Sequence, residues 1–414
     1  MEQTSVKQAE CTEFKVYGYR WVVLLMFIMV NVLMQIQWIL FASIVSEAKE
    51  FYGVSALGID LLSLIFMLAY LVVSIPASYI IDSWGMRGGV GVGVVLLGVF
   101  GFMKGFYGTD YKMLLIAQTG LALGQPFLLN AVTKVGVRWF PLRERATAAG
   151  LSTLAQIMGM LLALGVTPVL LKSYGMKNML MVYGIITVVG AVLYLVFTRE
   201  CPPTPPCPPG QDERIKVFEG IRHIFNQRDM IIMLICSFFG LGVFNAVMTW
   251  IEQILSPRGF SLEQVGLAGS LLMFAGIIGA ILMGTLSDKL RKRKIFIVIA
   301  MFGAIPGLVG LTFAASYPLL LASCFVFGFF LIGGAPINFQ YSAEVSYPAP
   351  EGTTQGLFLL TGQISGILFI FLPDIIMEGG DKTPVLALFI GFLVLTFIII
   401  LMLRESKHIM TGDI

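Results

Sequence analysis

Apolar residues gather in twelve long stretches separated by polar, glycine-rich or proline-rich breaks. A helix rises 1.5 Å per residue, so crossing roughly 30 Å of hydrocarbon takes about 20 apolar residues. By that rule, membrane-spanning helices fall near 19–45, 59–82, 88–107, 112–137, 146–171 and 177–198. A second group follows near 230–255, 264–287, 294–315, 318–343, 354–377 and 384–404. The pattern predicts an all-α integral membrane protein with twelve helices, six on each side of a central break.

The break runs from Glu200 to Gly210 and reads ECPPTPPCPPG, which cannot be helical because its prolines lack amide donors and clash with the preceding turn. The chain therefore divides into a tail (1–18), a six-helix bundle (19–198), a Pro-rich linker (199–229), a second six-helix bundle (230–404) and a tail (405–414). The bundles repeat one another. Asp82-Ser-Trp-Gly85-Met-Arg87 follows the second helix and Asp288-Lys-Leu-Arg-Lys-Arg293 follows the eighth, both ends 206 residues apart. Phe140-Pro141, Gly150-Leu151 and Gln156 recur as Tyr347-Pro348, Gly356-Leu357 and Gln363 at an offset of 206 to 207. Parallel duplication of six-helix halves, with a site near the midplane where they meet, is similar to the major facilitator architecture. Carboxylates beside basic loops suit gates that hold two bundles together, so Asp82, Gly85, Arg87, Asp288, Arg293, Glu344 and Glu351 are candidate gating residues.

Charge sets the orientation. With the N-terminus inside, 20 of the 27 Lys and Arg residues fall on the inner side and 7 on the outer, with Lys104 among the 7, which predicts both termini in the cytoplasm of a cell-membrane protein. Only 12% of residues are charged, where soluble chains carry about a quarter, and the net charge of +3 with no basic stripe speaks against a nucleic-acid partner. The five cysteines show no metal spacing, and neither a cofactor nor a metal is expected. The polar start of the chain does not look like a cleaved signal peptide. Two His residues in cytoplasmic segments, without clustered acids facing them, do not make an enzyme.

At mid-depth the spans show no ionisable group, which argues for facilitated diffusion; Asp60 or Glu344, near helix ends, offer a route to proton coupling. What remains is neutral and aromatic: Gln37 and Trp38 on the first helix, Gln125 on the fourth, Gln156 on the fifth, Asn245 on the seventh, Tyr341 on the tenth and Gln363 on the eleventh. An amide in hydrocarbon needs partners, so each should point inward, toward substrate or toward a neighbouring helix. Trp250, near the outer end of its helix, reads as an interface anchor. An aromatic cavity lined by amides suits a cation held by cation–π attraction or a neutral planar molecule, and suits a dianion poorly, since no buried cation is on offer.

Several segments carry a family likeness. Gln37-Trp38-Ile39, Phe51-Tyr-Gly-Val-Ser55 with Ile59-Asp60, Gln125-x-Phe127, Trp139-Phe140, and Ala343-Glu344-Val-Ser-Tyr347-Pro348 running into Glu351-Gly352-Thr353 and Gln363 are the relevant residues. They resemble the feline leukaemia virus subgroup C receptor-related family of major facilitator superfamily transporters. The resemblance implies transport of choline or ethanolamine, of haem, or of pyridoxine. It also implies Trp38 packing on a quaternary ammonium, with Gln125 and Gln363 facing the same cavity. The expectation is a monomeric uniporter for a small organic cation or amine alcohol. The alternative is a proton-coupled exporter of haem, a vitamin or amphiphilic compounds.

Overall fold

The computed structural model describes residues 16–204, 217–347, 349, 351–377 and 382–405; the core of the Pro-rich linker, 205–216, lies outside them. The chain builds α1 (Arg20–Ile39), a 3-10 turn (Leu40–Ser43) and α2 (Val45–Tyr52) before the long α3 (Ala56–Tyr107). Next come α4 (Tyr111–Leu129), α5 (Val132–Trp139) and α6 (Leu142–Phe197). The second half has α7 (Val217–Asn226), α8 (Arg228–Thr249), α9 (Ile251–Leu255), α10 (Leu262–Leu290) and α11 (Lys294–Phe313). It ends with α12 (Tyr317–Leu331), α13 (Ala335–Val345), α14 (Glu351–Met377) and α15 (Thr383–Ile400).

Ten helical runs are long and apolar enough to cross a membrane. Two of them do so twice. At 52 and 56 residues, α3 and α6 would extend about 78 and 84 Å if straight, far beyond one bilayer. Each turns back at a glycine with positive φ, Gly85 at 82° and Gly175 at 73°, a conformation that costs a side-chain-bearing residue. The result is twelve crossings among the described residues. α1 begins beside both ends of α6, because Arg20 pairs with Glu144 and the Tyr19 hydroxyl donates to the Phe197 carbonyl. The face holding these ends is called the terminal face below.

The duplication reaches into local geometry. Positive φ recurs at Gly53 and Gly259, and at Gly85 and Arg291, both pairs 206 residues apart. Ser55 caps α3 by accepting from the Gly58 amide, and Ser261 caps α10 through the Gln264 amide. Above these caps, Tyr111 donates to the Gly58 carbonyl at 2.6 Å and Tyr317 to the Gln264 carbonyl at 3.3 Å. Every one of these pairs keeps the same offset of 206.

Lipid tails are as apolar as leucine, so helices associate here through close packing and interhelical hydrogen bonds rather than hydrophobic exclusion. The second crossings of α3 and α6 meet at glycine. A Cβ on Gly184 would lie 2.8 Å from the Gly105 Cα and 2.9 Å from the Gly101 carbonyl oxygen. Gly184→Val should therefore destabilise the fold by about 1–3 kcal/mol, the usual cost of overpacking. A lowered thermal midpoint in detergent would show it, whereas Gly391→Ala, which meets nothing within 4 Å, should leave the midpoint in place.

Candidate functional site

A cavity of about 190 Å³ lies where the first crossing of α6 faces α8, α11, α12, α13 and α14. None of its lining side chains is charged. Its polar groups are Thr153 and Gln156 from α6, Cys236 and Ser237 from α8 and Asn338 from α13. Phe244, Phe330, Phe339 and Phe358 supply aromatic wall. Helical spacing explains the polar set: Thr153 and Gln156 are three residues apart, so they share one face. Ser237 is spent on the Phe358 carbonyl at 3.3 Å. The Asn338 Oδ1 is buried without a partner. Two adaptable thioethers, Met160 and Met233, complete the surface and let it reshape around a ligand.

Of the residues expected at a binding site, Gln156 lines this cavity and the rest stand elsewhere. The Trp38 indole N–H donates 3.3 Å to the Ser63 carbonyl, which fixes the ring against the first crossing of α3. Asn245 donates 3.1 Å to the Gly362 carbonyl, which ties α8 to α14. Gln125 is buried and Gln363 half-buried, and neither amide makes a hydrogen bond among the described residues. Gln37 and Tyr341 are turned away from the cavity. Gln37 donates 2.9 Å to Thr187 within the N-terminal half, and the fully buried Tyr341 donates 2.7 Å to the Arg404 carbonyl. Both serve as ties between neighbouring segments, a common task for polar groups among membrane helices.

Two further expectations need correction. Lys104 is not in a loop but 1% exposed at the end of α3, with its Nζ 3.0 Å from the Gln37 carbonyl and 5.1 Å from the Phe41 ring centre. The carbonyl is open to a side-chain donor because α1 tightens into a 3-10 turn just beyond it. A buried cation is thus present, in the N-terminal half rather than in the cavity. Trp250 is not an interface anchor. It is fully buried, stacked on Phe389 at 6.2 Å, with the Lys382 ammonium 4.2 Å above its ring.

Polar contacts that described side chains make between the halves gather away from the terminal face. Ser46 donates 2.7 Å to Glu252, Gln253 donates 2.8 and 2.9 Å to the two oxygens of Asp60, and Lys172 pairs with Glu263 at 2.6 Å. Ser46 and Gln253 sit 207 residues apart, so equivalent positions of the two halves each reach across to a carboxylate on the other. Gly266 adds close contact, since a Cβ there would lie 2.7 Å from the Leu164 carbonyl. This face is shut.

At the terminal face the ion pairs stay within one half. Asp82 pairs with Lys134, and the buried Arg293 binds Asp288 at 2.5 Å and Glu344 at 3.2 Å. Arg87 instead donates 3.3 Å to the Leu195 carbonyl. Glu351 opens α14, and its side chain lies outside the described set. Two carboxylates here escaped sequence reasoning. Glu200 accepts from the amides of Met86 and Arg87 at 2.8 and 2.6 Å, and Glu405 accepts from those of Arg293 and Lys294 at 2.7 and 3.1 Å. Each caps the third crossing of its half with the residue that follows its sixth, matching negative charge to the positive end of a helix. A Cβ on Gly85 would fall 2.3 Å from a Glu200 oxygen, which gives this glycine a second reason to lack a side chain. The repeat offset, 205 between the two glutamates, was the signal that could have found them.

With this geometry in view, similarity to known proteins becomes informative. A sequence model of the Major Facilitator Superfamily matches residues 19–370. The chain is 29% identical over 384 residues to solute carrier family 49 member A3 of Xenopus tropicalis, covering 87% of this chain and 78% of that one. It is 29% identical over 428 residues to the choline/ethanolamine transporter FLVCR1 of Felis catus, covering 95% and 76%. An uncharacterized MFS-type transporter of Caenorhabditis elegans, C09D4.1, is 28% identical over 393 residues, covering 90% and 67%. Among solved structures, the D-xylose-proton symporter superposes with a TM-score of 0.74 at 14% identity, covering 94% of this chain and 99% of the other. A bacterial homologue of the lysosomal transporter Spinster, inward-facing and unoccupied, gives 0.72 at 17%, covering 94% and 96%.

The buried Arg293 makes the terminal-face network vulnerable. Glu344→Gln removes one of its two carboxylates and should cost about 3 kcal/mol or more, because stripping a partner leaves buried charge undercompensated. Thermal unfolding in detergent would report it, with the exposed pair Lys172–Glu263 giving a far smaller change when Glu263→Gln is made.

Proposed function

Because the chain belongs to the Major Facilitator Superfamily, we propose that it transports a small organic cation or amine alcohol of the choline and ethanolamine type by facilitated, alternating access. That it is a membrane transporter of small molecules, not an enzyme, follows from the family itself. The narrower substrate class rests on two supports. The relatives FLVCR1 and FLVCR2 are named choline/ethanolamine transporters. The cavity between the halves is uncharged, with phenyl rings and free amides, and this observation carries the reading. A small organic ammonium gains attraction from ring faces without needing an anion, while the amide of Gln156 and the carbonyl of Asn338 can accept from its hydroxyl or ammonium protons.

Size points the same way. Sites for drug-sized ligands measure roughly 300–1,000 Å³, and about 190 Å³ fits a substrate of modest bulk better than a porphyrin. In this reading residues 19–198 and 230–404 rock as two bodies, the 199–229 linker joins them, and both termini face the cytoplasm in keeping with the Lys and Arg distribution. Trp38, Gln125, Gln363 and Asn245 then border the path that opens when the closed face parts, Trp38 as the ring over which the cation passes. The free amides of Gln125 and Gln363 support that role.

Uptake of labelled choline and ethanolamine into liposomes holding the purified protein tests the proposal. Saturable flux is expected. Gln156→Ala should raise KM roughly tenfold, the worth of one hydrogen bond of about 1.4 kcal/mol, and Trp38→Ala should abolish flux while the protein still inserts and folds. Saturable flux of neither amine would exclude the substrate class.

A further inference from the structure

The joint that shuts the face opposite the termini holds two carboxylates with nothing to balance them. Glu252 is 2% exposed; its Oε1 accepts from Ser46 of the other half at 2.7 Å, and its Oε2 is buried without a partner. Glu47, the residue after Ser46, also keeps a buried Oε2 without a partner. α2, which carries Glu47, packs directly on α9, which carries Glu252.

The charged groups on surrounding elements are occupied elsewhere or exposed. On α2 itself, Lys49 and Glu50 face solvent. On α3, Asp60 is held by Gln253, and Lys104 binds the Gln37 carbonyl. Glu263 on α10 pairs with Lys172, and Arg258, in the turn after α9, donates to the Leu311 carbonyl at 2.7 Å. Lys382 lies over Trp250. The 3-10 turn (Leu40–Ser43) contributes only the orphaned hydroxyl of Ser43, and the adjoining end of α8 contributes no charge. No ion pair reaches Glu47 or Glu252 among the described residues.

Two buried carboxylates in one interface cannot both stay ionised without a cation, because burial and mutual repulsion each penalise the second charge. Burial, opposed by a backbone hydrogen bond and reinforced by the negative charges of Glu252 and Glu50, lifts the Glu47 carboxyl above its ordinary value.

We propose that Glu47 and Glu252 hold one proton between them while this face is closed and release it to water when the halves part, so the proton is a ligand of the closed state. The proposal rests on alternating access but not on the identity of the substrate. Its sign follows from linkage. The carboxyl titrates higher when closed than when open, so the extra closed-state stability is full below the open-state value and fades as pH rises through the closed-state value. Acid holds this face shut, and alkali loosens it.

The test is labelling of a cysteine placed at Ala48, which is fully buried beside the joint, by a membrane-impermeant maleimide applied to the face opposite the termini. The full chain in oriented vesicles is compared with the unsubstituted protein at about pH 5 to about pH 8, with rates corrected for maleimide reactivity using an exposed cysteine at Lys49. Labelling should rise with pH, by up to about tenfold per unit within the window, as one linked proton requires. In Glu47→Gln and Glu252→Gln, whose amides keep the carbonyl acceptor, the slope should flatten. A wild-type profile flat in pH, or one unchanged by both variants, overturns the proposal. Should a variant misfold, a protonated-carboxyl stretch in wild-type infrared spectra at neutral pH supports the shared proton, and its absence refutes it. Loss of amine flux with the pH-dependent labelling intact would sink the substrate reading and leave the latch standing.

Discussion

Everything this protein does depends on where its halves are allowed to touch. Inside hydrocarbon, each polar group must find a partner within the protein, so polar bonds between bundles act as fasteners whose position decides which face can open. Here the fasteners Ser46–Glu252, Gln253–Asp60 and Lys172–Glu263 lie at one end, while the ion pairs at the terminal face remain within one half. The structure is thus one member of a pair of states, open toward the termini. The other state needs only that the same rigid helices tilt about the cavity.

Duplication supplies the machinery for such tilting at little structural cost. Gly53 and Gly259 turn the chain at equivalent places, Ser55 and Ser261 start the helices that follow, and Tyr111 and Tyr317 brace those starts. Glu200 and Glu405 close each half from its own last helix. Each bundle is thereby stiff on its own account, and motion between bundles need not disturb the interior of either. The asymmetric features mark where function diverges: the ion pair at Asp82 uses Lys134, whereas Arg293 engages both Asp288 and Glu344.

The crossings were legible in the sequence because apolar length is a direct consequence of bilayer thickness, and the repeat was legible in the Asp82 and Asp288 loops because the same spacing recurs. Rotational phase was not. On helices that are apolar all round, nothing in the sequence tells whether Gln37 faces the cavity or Thr187, or whether Tyr341 faces substrate or Arg404. Gln156, by contrast, lines the cavity with Thr153 one helical turn before it. Lys104 defied its expectation because a carbonyl loosened by a 3-10 turn gave its ammonium a buried acceptor, and Trp250 because Lys382 and Phe389 cover it. The carboxylate caps were missed because their partners are backbone amides, which carry no sequence signature.

Paired spin labels measure the central idea most directly. One pair at Tyr174 and Leu267 reports the closed face, and another at Trp84 and Leu290 reports the terminal face; all four side chains are exposed. On adding choline to the protein in lipid nanodiscs, a longer distance at the first pair should appear together with a shorter one at the second. Distances that stay fixed at both faces, or lengthen and shorten together, would contradict alternating access about this cavity.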